Sequence, residues 1–275
     1  MNTKDLYAQI QAKKTMLCVG LDTDFNKMPQ HIQKLAQDGE IAVHGELLKA
    51  RSLYEFNKAI IDATSEHCVA YKPNLAFYEC YGREGMMALE KTVDYIRNNH
   101  PEQFIIADAK RGDIGNTAKM YAKTYFETMD FDAVTISPYM GSETVTPFLE
   151  YPGKFAIVVA LSSNKSSADF QMAQQDGKPL YQEVMEKMMS ISNPDNMMFV
   201  VGATKADKLA EIRKFCPDNF FLVPGVGAQG GSAEEVIAHG ANAMGGLLIN
   251  SSRGIIYASN GEDFAEAAGR SAATT

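Results

Sequence analysis

In the stretch FIIADAKRGDIGNTA, residues 104–118, an apolar run ends in Asp108, Lys110, Arg111 and Asp113, four charges inside six positions. Along a strand, side chains alternate, so Phe104, Ile106, Asp108 and Lys110 share one face. An aspartate and a lysine on one face can be no more than a structural ion pair. Two further apolar runs also end in charge, Asp22 in CVGLD and Lys72 in VAYKP, and a single ion pair does not account for that many charges. Flanking carboxylates stabilise an ammonium and offset its desolvation. Lys110 is therefore expected to act as a proton donor or electrostatic clamp, whereas Schiff-base chemistry requires a lysine of depressed pKa. The carboxylates of LDTD, Asp108 and Asp113 have the oxygen donors Mg²⁺ prefers, but the intervening lysines oppose a divalent cation. The five histidines form no HxH or HExxH pattern. No metal and no cofactor are expected.

A second candidate centre lies in FFLVPGVGAQGGSAEEV, where the order is strand, glycine loop, helix. Ser232 and Glu235 have the spacing of a capping box, which starts a helix just past Gly231. Backbone N–H groups at such a terminus favour phosphate, and Arg253, in NSSRG, adds a guanidinium fork suited to it. Gly225, Gly227 and Gly230 match GxGxxG, but late in the chain. About 20 positions on, where a dinucleotide fold places an acidic residue, the sequence reads GGLLINSSRG. A phosphate monoester is expected, and NAD is not.

These residues need a scaffold that brings successive strand ends together. Short apolar runs fall at about 16–21, 67–72, 104–109, 132–137, 155–161, 197–202, 219–223 and 243–249. Helical patterns alternate with them at 46–66, 83–99, 115–129, 142–150, 178–191, 205–215 and 232–239, and a tail helix is expected within 261–270. Eight βα units predict an α/β fold, a single-domain (β/α)₈ TIM barrel over 1–275. The runs are almost continuously apolar, as parallel strands covered on both faces should be. Polar stretches at about 23–45 and 162–179 read as elaborated loops after strands 1 and 5, at the strand ends where barrel active sites are built.

A net charge of −8 gives no global basic field for nucleic acid or an anionic membrane, so an anionic ligand must be held by local positive charge. No apolar stretch approaches the roughly 20 residues that span a bilayer. Cys18, Cys68, Cys80 and Cys216 show no CxxC spacing, and MNTKDLYAQIQAKKTMLCVG has no signal-like core. A soluble cytoplasmic protein is expected, and the 15 methionines read as core filler.

With these residues in place, the sequence resembles the orotidine 5′-phosphate decarboxylase family, in its longer bacterial-type branch (type 2 subfamily). DAKRGDIGNTA is similar to the family's central motif, and the likeness runs from CVGLD through YKPNLAFYE and PGVGAQGG to NSSRGI. It implies cofactor-free decarboxylation of orotidine 5′-monophosphate to UMP, the last step of pyrimidine nucleotide synthesis. Carried onto this chain, it makes Lys110 the proton donor to C6, with Lys72, Asp108 and Asp113 completing the charge network. Asp22 and Lys72 would hold ribose hydroxyls. In a homodimer, Asp113 and Thr117 would reach the ribose in the neighbouring subunit's site, and four residues apart they could share one helical side. Ile114 would be a further substrate-binding position, and Gln229 and Arg253 would grip the phosphate. Ser163 would touch the pyrimidine, with Ser162 as the adjacent alternative. Arg111-Gly112 stands where the family's shorter branch has aromatic and histidine residues, a departure that leaves the catalytic positions intact.

Two rival readings have different consequences. A related sugar-phosphate barrel enzyme also carries DxKxxD on strand 3 but adds an acidic residue and Mg²⁺, and Ile106, two positions before Asp108, argues against that arrangement. A non-catalytic nucleotide sensor would keep the pocket without turnover, and the intact Lys110 with both aspartates argues against decay.

Overall fold

The computed structural model describes residues 1–35, 47–203, 206–226 and 232–275. Its main strands are β1 (Leu17–Leu21), β2 (Ala70–Pro73), β3 (Phe104–Arg111), β4 (Ala133–Ile136), β5 (Phe155–Leu161), β6 (Met197–Val201), β7 (Phe221–Pro224) and β8 (Leu247–Ser251). They hydrogen-bond to one another in chain order, and β8 closes on β1, giving a parallel (β/α)₈ barrel. Every residue of β1, β2, β4 and β6 is buried, which explains why these runs lack the alternation of a half-exposed strand.

The chain forms two compact units. In the first, Leu17–Asp108 with Ser251–Thr275, helix Leu47–Thr64 packs on helices Gly82–Asn99 and Phe264–Thr274. Phe56 stacks on Phe264 at 5.2 Å and on Tyr257 at 5.8 Å. Gly269 permits the close helix approach, because a Cβ there would lie 2.7 Å from Ala63 O. The second unit, Met1–Met16 with Ala109–Asn250, contains helices Gly115–Lys123, Leu180–Met189, Ala206–Phe215 and Ala233–Gly240. There Arg213 donates to the carbonyls of Cys216, Pro217, Asn219, Gly240 and Gly246, and lies 3.7 Å over the Phe221 ring. One guanidinium thus satisfies carbonyls from several turns at once.

Several boundaries differ from expectation for local reasons. The last strand begins at Leu247, because Gly245 and Gly246, at φ 76° and 68°, belong to a turn closed by Asn242. Helix Thr3–Lys13 is additional to the expected elements, and Asn2 and Asp5 form a capping box at its start. The expected 115–129 helix stops at Lys123 and continues as a π turn, Thr124–Thr128. The 142–150 helix is a 3₁₀ turn, Ser142–Thr144, followed by Thr146–Leu149. The stretch after β1 contains the turn Phe25–Lys27 and helix Gln30–Lys34, and residues 36–45 lie outside the described residues. The stretch after β5 contains the turn Lys165–Asp169 and a two-residue antiparallel pair, Gln174–Gln175 with Lys178–Pro179, joined by Asp176 and Gly177 at positive φ. No helix among the described residues is long and apolar enough to cross a membrane.

Candidate active site

In the first unit, Lys72 on β2 places Nζ 2.7 Å from Asp108 Oδ2 on β3, with both side chains buried. Burial alone would pull this ammonium down, but Asp108 and then Asp22 outweigh it and hold Lys72 above its ordinary range. Register pairs Gly20 with Lys72 and Leu21 with Pro73, which brings the end of β1 beside the pair. Asp22 follows directly, and its buried Oδ1 accepts no hydrogen bond from any described residue.

A fully buried polar network lies behind Asp22. Thr23 Oγ1 donates to Asn57 Oδ1 at 2.6 Å, Asn57 Nδ2 donates to Tyr78 Oη and Thr92 Oγ1, and Tyr78 Oη donates to Leu21 O. Tyr257 Oη donates to Asp22 O at 3.0 Å and accepts the Asp24 N–H at 2.7 Å. Satisfied networks of this kind fix a single geometry. Sequence reading missed these positioning residues, because nothing local distinguishes Asn57 or Tyr78 from other helical polar residues. Cys18 is buried nearby, and burial pushes its thiol far up, so it is not a nucleophile.

In the second unit, strand alternation does not extend to Lys110. Its φ is 46°, left-handed and uncommon for a residue with a side chain, and its backbone N–H donates to Thr135 Oγ1 at 2.9 Å. Lys110 is exposed. Arg111 turns elsewhere, with Nη1 donating to Ala109 O and the guanidinium 5.6 Å from the Tyr121 ring centre and 6.0 Å from that of Tyr125. Gly112 allows a close approach to the backbone just past β4, since a Cβ there would lie 2.8 Å from Ser137 O. Asp113 Oδ1 accepts the Ile114 N–H at 2.8 Å, ahead of helix Gly115–Lys123. Asp113 therefore does not share a helical face with Thr117, because the helix begins two residues after it. Ile114 and Thr117 are exposed.

Ser162 and Ser163 follow β5, and Ser162 is engaged by Gln171 and Asn164. Of the expected phosphate contacts, Gln229 lies outside the described residues, as do Gly227, Gly230 and Gly231. Gly225 has φ 94°. Ser232 caps helix Ala233–Gly240 by accepting the Glu235 N–H, while its hydroxyl donates to Glu234 Oε2 at 2.6 Å. The bond from Glu235 N–H to the Ser232 side chain is the serine half of the capping box that the spacing indicated, and the hydroxyl proton goes separately to the Glu234 carboxylate. Arg253 is exposed at the start of the short turn Arg253–Ile256. Among the described residues, no three His, Cys, Asp or Glu side chains gather so that they could hold a metal ion.

A parallel barrel with buried charge at its strand ends defines a TIM-barrel enzyme of the kind whose chemistry sits at that end. Residues 15–268 match the model of the orotidine 5′-phosphate decarboxylase / HUMPS family, and the chain belongs to that family. It is 54% identical over 273 residues to orotidine 5′-phosphate decarboxylase of Phocaeicola vulgatus, covering 99% of this chain and 95% of the relative. It is likewise 54% identical over 275 residues to the Porphyromonas gingivalis enzyme of the same name, with the same coverage. The solved OMP decarboxylase of Leishmania donovani superposes with a TM-score of 0.78 at 34% identity, over 98% of this chain and 95% of that one.

Proposed function

We propose that the chain decarboxylates orotidine 5′-monophosphate to UMP and CO₂, in the pyrimidine nucleotide pathway, as a single catalytic domain that needs no cofactor. The observation that carries the reading is the buried Lys72–Asp108 pair beside Asp22, on strands whose sequence follows the family pattern. Decarboxylation breaks the bond between C6 and its carboxylate and leaves the electron pair on C6, where the ring carbonyls cannot take it up. A preorganised ammonium offsets that charge at little reorganisation cost. Lys110 supplies the ammonium, transfers a proton from Nζ to C6, and is reprotonated from solvent. Asp108, paired with Lys72, stands against the departing carboxylate. The unpartnered Asp22 oxygen, with Lys72, suits ribose hydroxyls. Ser163 takes the pyrimidine, and Gln229 and Arg253 take the phosphate, whose binding energy drives closure around the ring.

The working form in this reading is a homodimer in which Asp113 and Thr117, with Ile114 beside them, complete the partner's site. Exposed apolar side chains in the same unit support it: Ile114, Met120, Tyr139 and Met140 are 42%, 58%, 86% and 54% exposed. Cysteines held as thiols and not as disulfides among the described residues fit a reducing cytoplasm. The test is incubation of purified protein with orotidine 5′-monophosphate, with and without EDTA, following UMP formation. UMP formed at the same rate in both is expected. No UMP, or a rate lost to EDTA and restored by Mg²⁺, overturns the reading, and the second outcome favours the sugar-phosphate rival.

A further inference from the structure

The excursion after β5 closes on one side chain. Ser162 gives its backbone N–H to Gln171 Oε1 at 2.7 Å, and its hydroxyl accepts from Gln171 Nε2 at 2.9 Å while donating to Asn164 Oδ1 at 2.6 Å. The Gln171 backbone is equally engaged. Its N–H donates to Ser167 O at 2.9 Å, and its carbonyl accepts the Tyr181 N–H at 3.0 Å, in the first turn of helix Leu180–Met189. A single glutamine therefore links the strand end, the 3₁₀ turn Lys165–Asp169 and the next helix. From the other side, Gly202 donates its N–H to Leu161 O at 2.7 Å, and a Cβ on it would lie 2.6, 2.7 and 2.8 Å from Ser163 N, Cα and Cβ. The backbone of Ser163 is thus held between a clamped neighbour and a glycine with no room for a side chain.

We propose that Gln171 is a positioning residue for the base-contacting serine. By engaging both polar groups of Ser162 it keeps that hydroxyl from the substrate and fixes the backbone from which Ser163 projects. The inference rests on the reading of Ser163 as the pyrimidine contact, and it resolves the choice between the two adjacent serines in favour of Ser163. A carboxamide suits this role because it offers an acceptor for an N–H and a donor for a hydroxyl on one rigid plane.

The test uses full-length Gln171→Ala, Ser163→Ala and the double variant. Gln171→Ala should lower kcat/KM for orotidine 5′-monophosphate by about ten- to a hundredfold, since two hydrogen bonds are lost. It should weaken UMP but leave ribose 5-phosphate, which carries no base, bound as in the wild type. In the Ser163→Ala background it should add little, because its effect passes through that hydroxyl. Additive losses, or equal weakening of ribose 5-phosphate, would make Gln171 a general support of the fold and overturn the proposal. Wild-type kinetics in Gln171→Ala beside an impaired Ser163→Ala overturns the positioning role alone. Wild-type kinetics in Ser163→Ala overturns the underlying reading of Ser163, and the positioning role with it. If Gln171→Ala fails to fold, Gly202→Ala, which displaces Ser163 from the opposite side, should show the same split between UMP and ribose 5-phosphate, and its absence counts against the proposal.

Discussion

Lys110 gives its backbone N–H to Thr135 Oγ1 at 2.9 Å while its own φ stands at 46°, so a hydroxyl on the neighbouring strand holds this lysine in a backbone state it would otherwise avoid. Backbone strain at a functional residue persists only where the surroundings enforce it. Thr135, fully buried, is that surrounding.

Thr135→Val keeps the shape and removes the acceptor. It should cost about 0.5–1.5 kcal/mol of stability, the worth of one lost hydrogen bond, as measured by urea unfolding. It should also lower kcat by about tenfold with KM little changed, whereas Thr135→Ser should stay near wild type. Unchanged kcat in a folded Thr135→Val would mean that the left-handed backbone does not matter to turnover.

Asp108→Asn leaves Lys72 buried without its nearest charge, and should destabilise the fold by about 3–5 kcal/mol. The pH dependence is a sharper test. Lys72 is held above its ordinary pKa in the folded state, so its contribution is complete below about pH 10 and is lost as pH rises through the raised value. With Asp108 gone, burial becomes the dominant influence on this group and its contribution reverses sign, favouring the fold as pH rises. Between about pH 8 and 11 the unfolding free energy of the wild type should therefore fall more steeply than that of Asp108→Asn. Parallel curves would contradict the direction assigned to Lys72.

Arg253→Ala removes a guanidinium from the proposed phosphate grip. KM should rise by the equivalent of about 2–3 kcal/mol, the worth of a charged hydrogen bond, with a smaller change in kcat. Steady-state kinetics showing kcat alone reduced would place Arg253 at the reacting end instead.

The proposal that Asp113 acts on the partner's substrate predicts complementation. Lys110→Ala and Asp113→Ala homodimers should each be nearly inactive, but a heterodimer has one intact site and one doubly damaged site. With random exchange half the dimers are mixed, so roughly a quarter of wild-type activity should return, as an isologous dimer requires. Demonstrated exchange without recovered activity would place Asp113 in its own chain's site.

The barrel was legible because fully buried parallel strands leave unbroken apolar runs, and the charged ends of β1, β2 and β3 stood out against them. Asp22, Lys72 and Asp108 do gather as those runs suggested. What the sequence hid is tertiary. The left-handed turn at Lys110 is enforced by a threonine 25 residues away, and the Asn57–Tyr78–Thr23 network joins three segments with no shared local pattern. Period-2 alternation therefore failed at Lys110, where distant contacts outweigh the local rule. The diversion of Arg111 onto Tyr121 and Tyr125 was equally invisible, since four adjacent charges read alike until their partners are known.

The most direct test of the chemistry is the loss of the orotate absorption band when substrate is mixed with wild-type protein and with Lys110→Ala, alongside UMP binding to both. Wild type should consume the substrate, while Lys110→Ala should lose many powers of ten in kcat yet still bind UMP through its ribose and phosphate contacts. Near-normal turnover in Lys110→Ala would contradict protonation of C6 by Lys110.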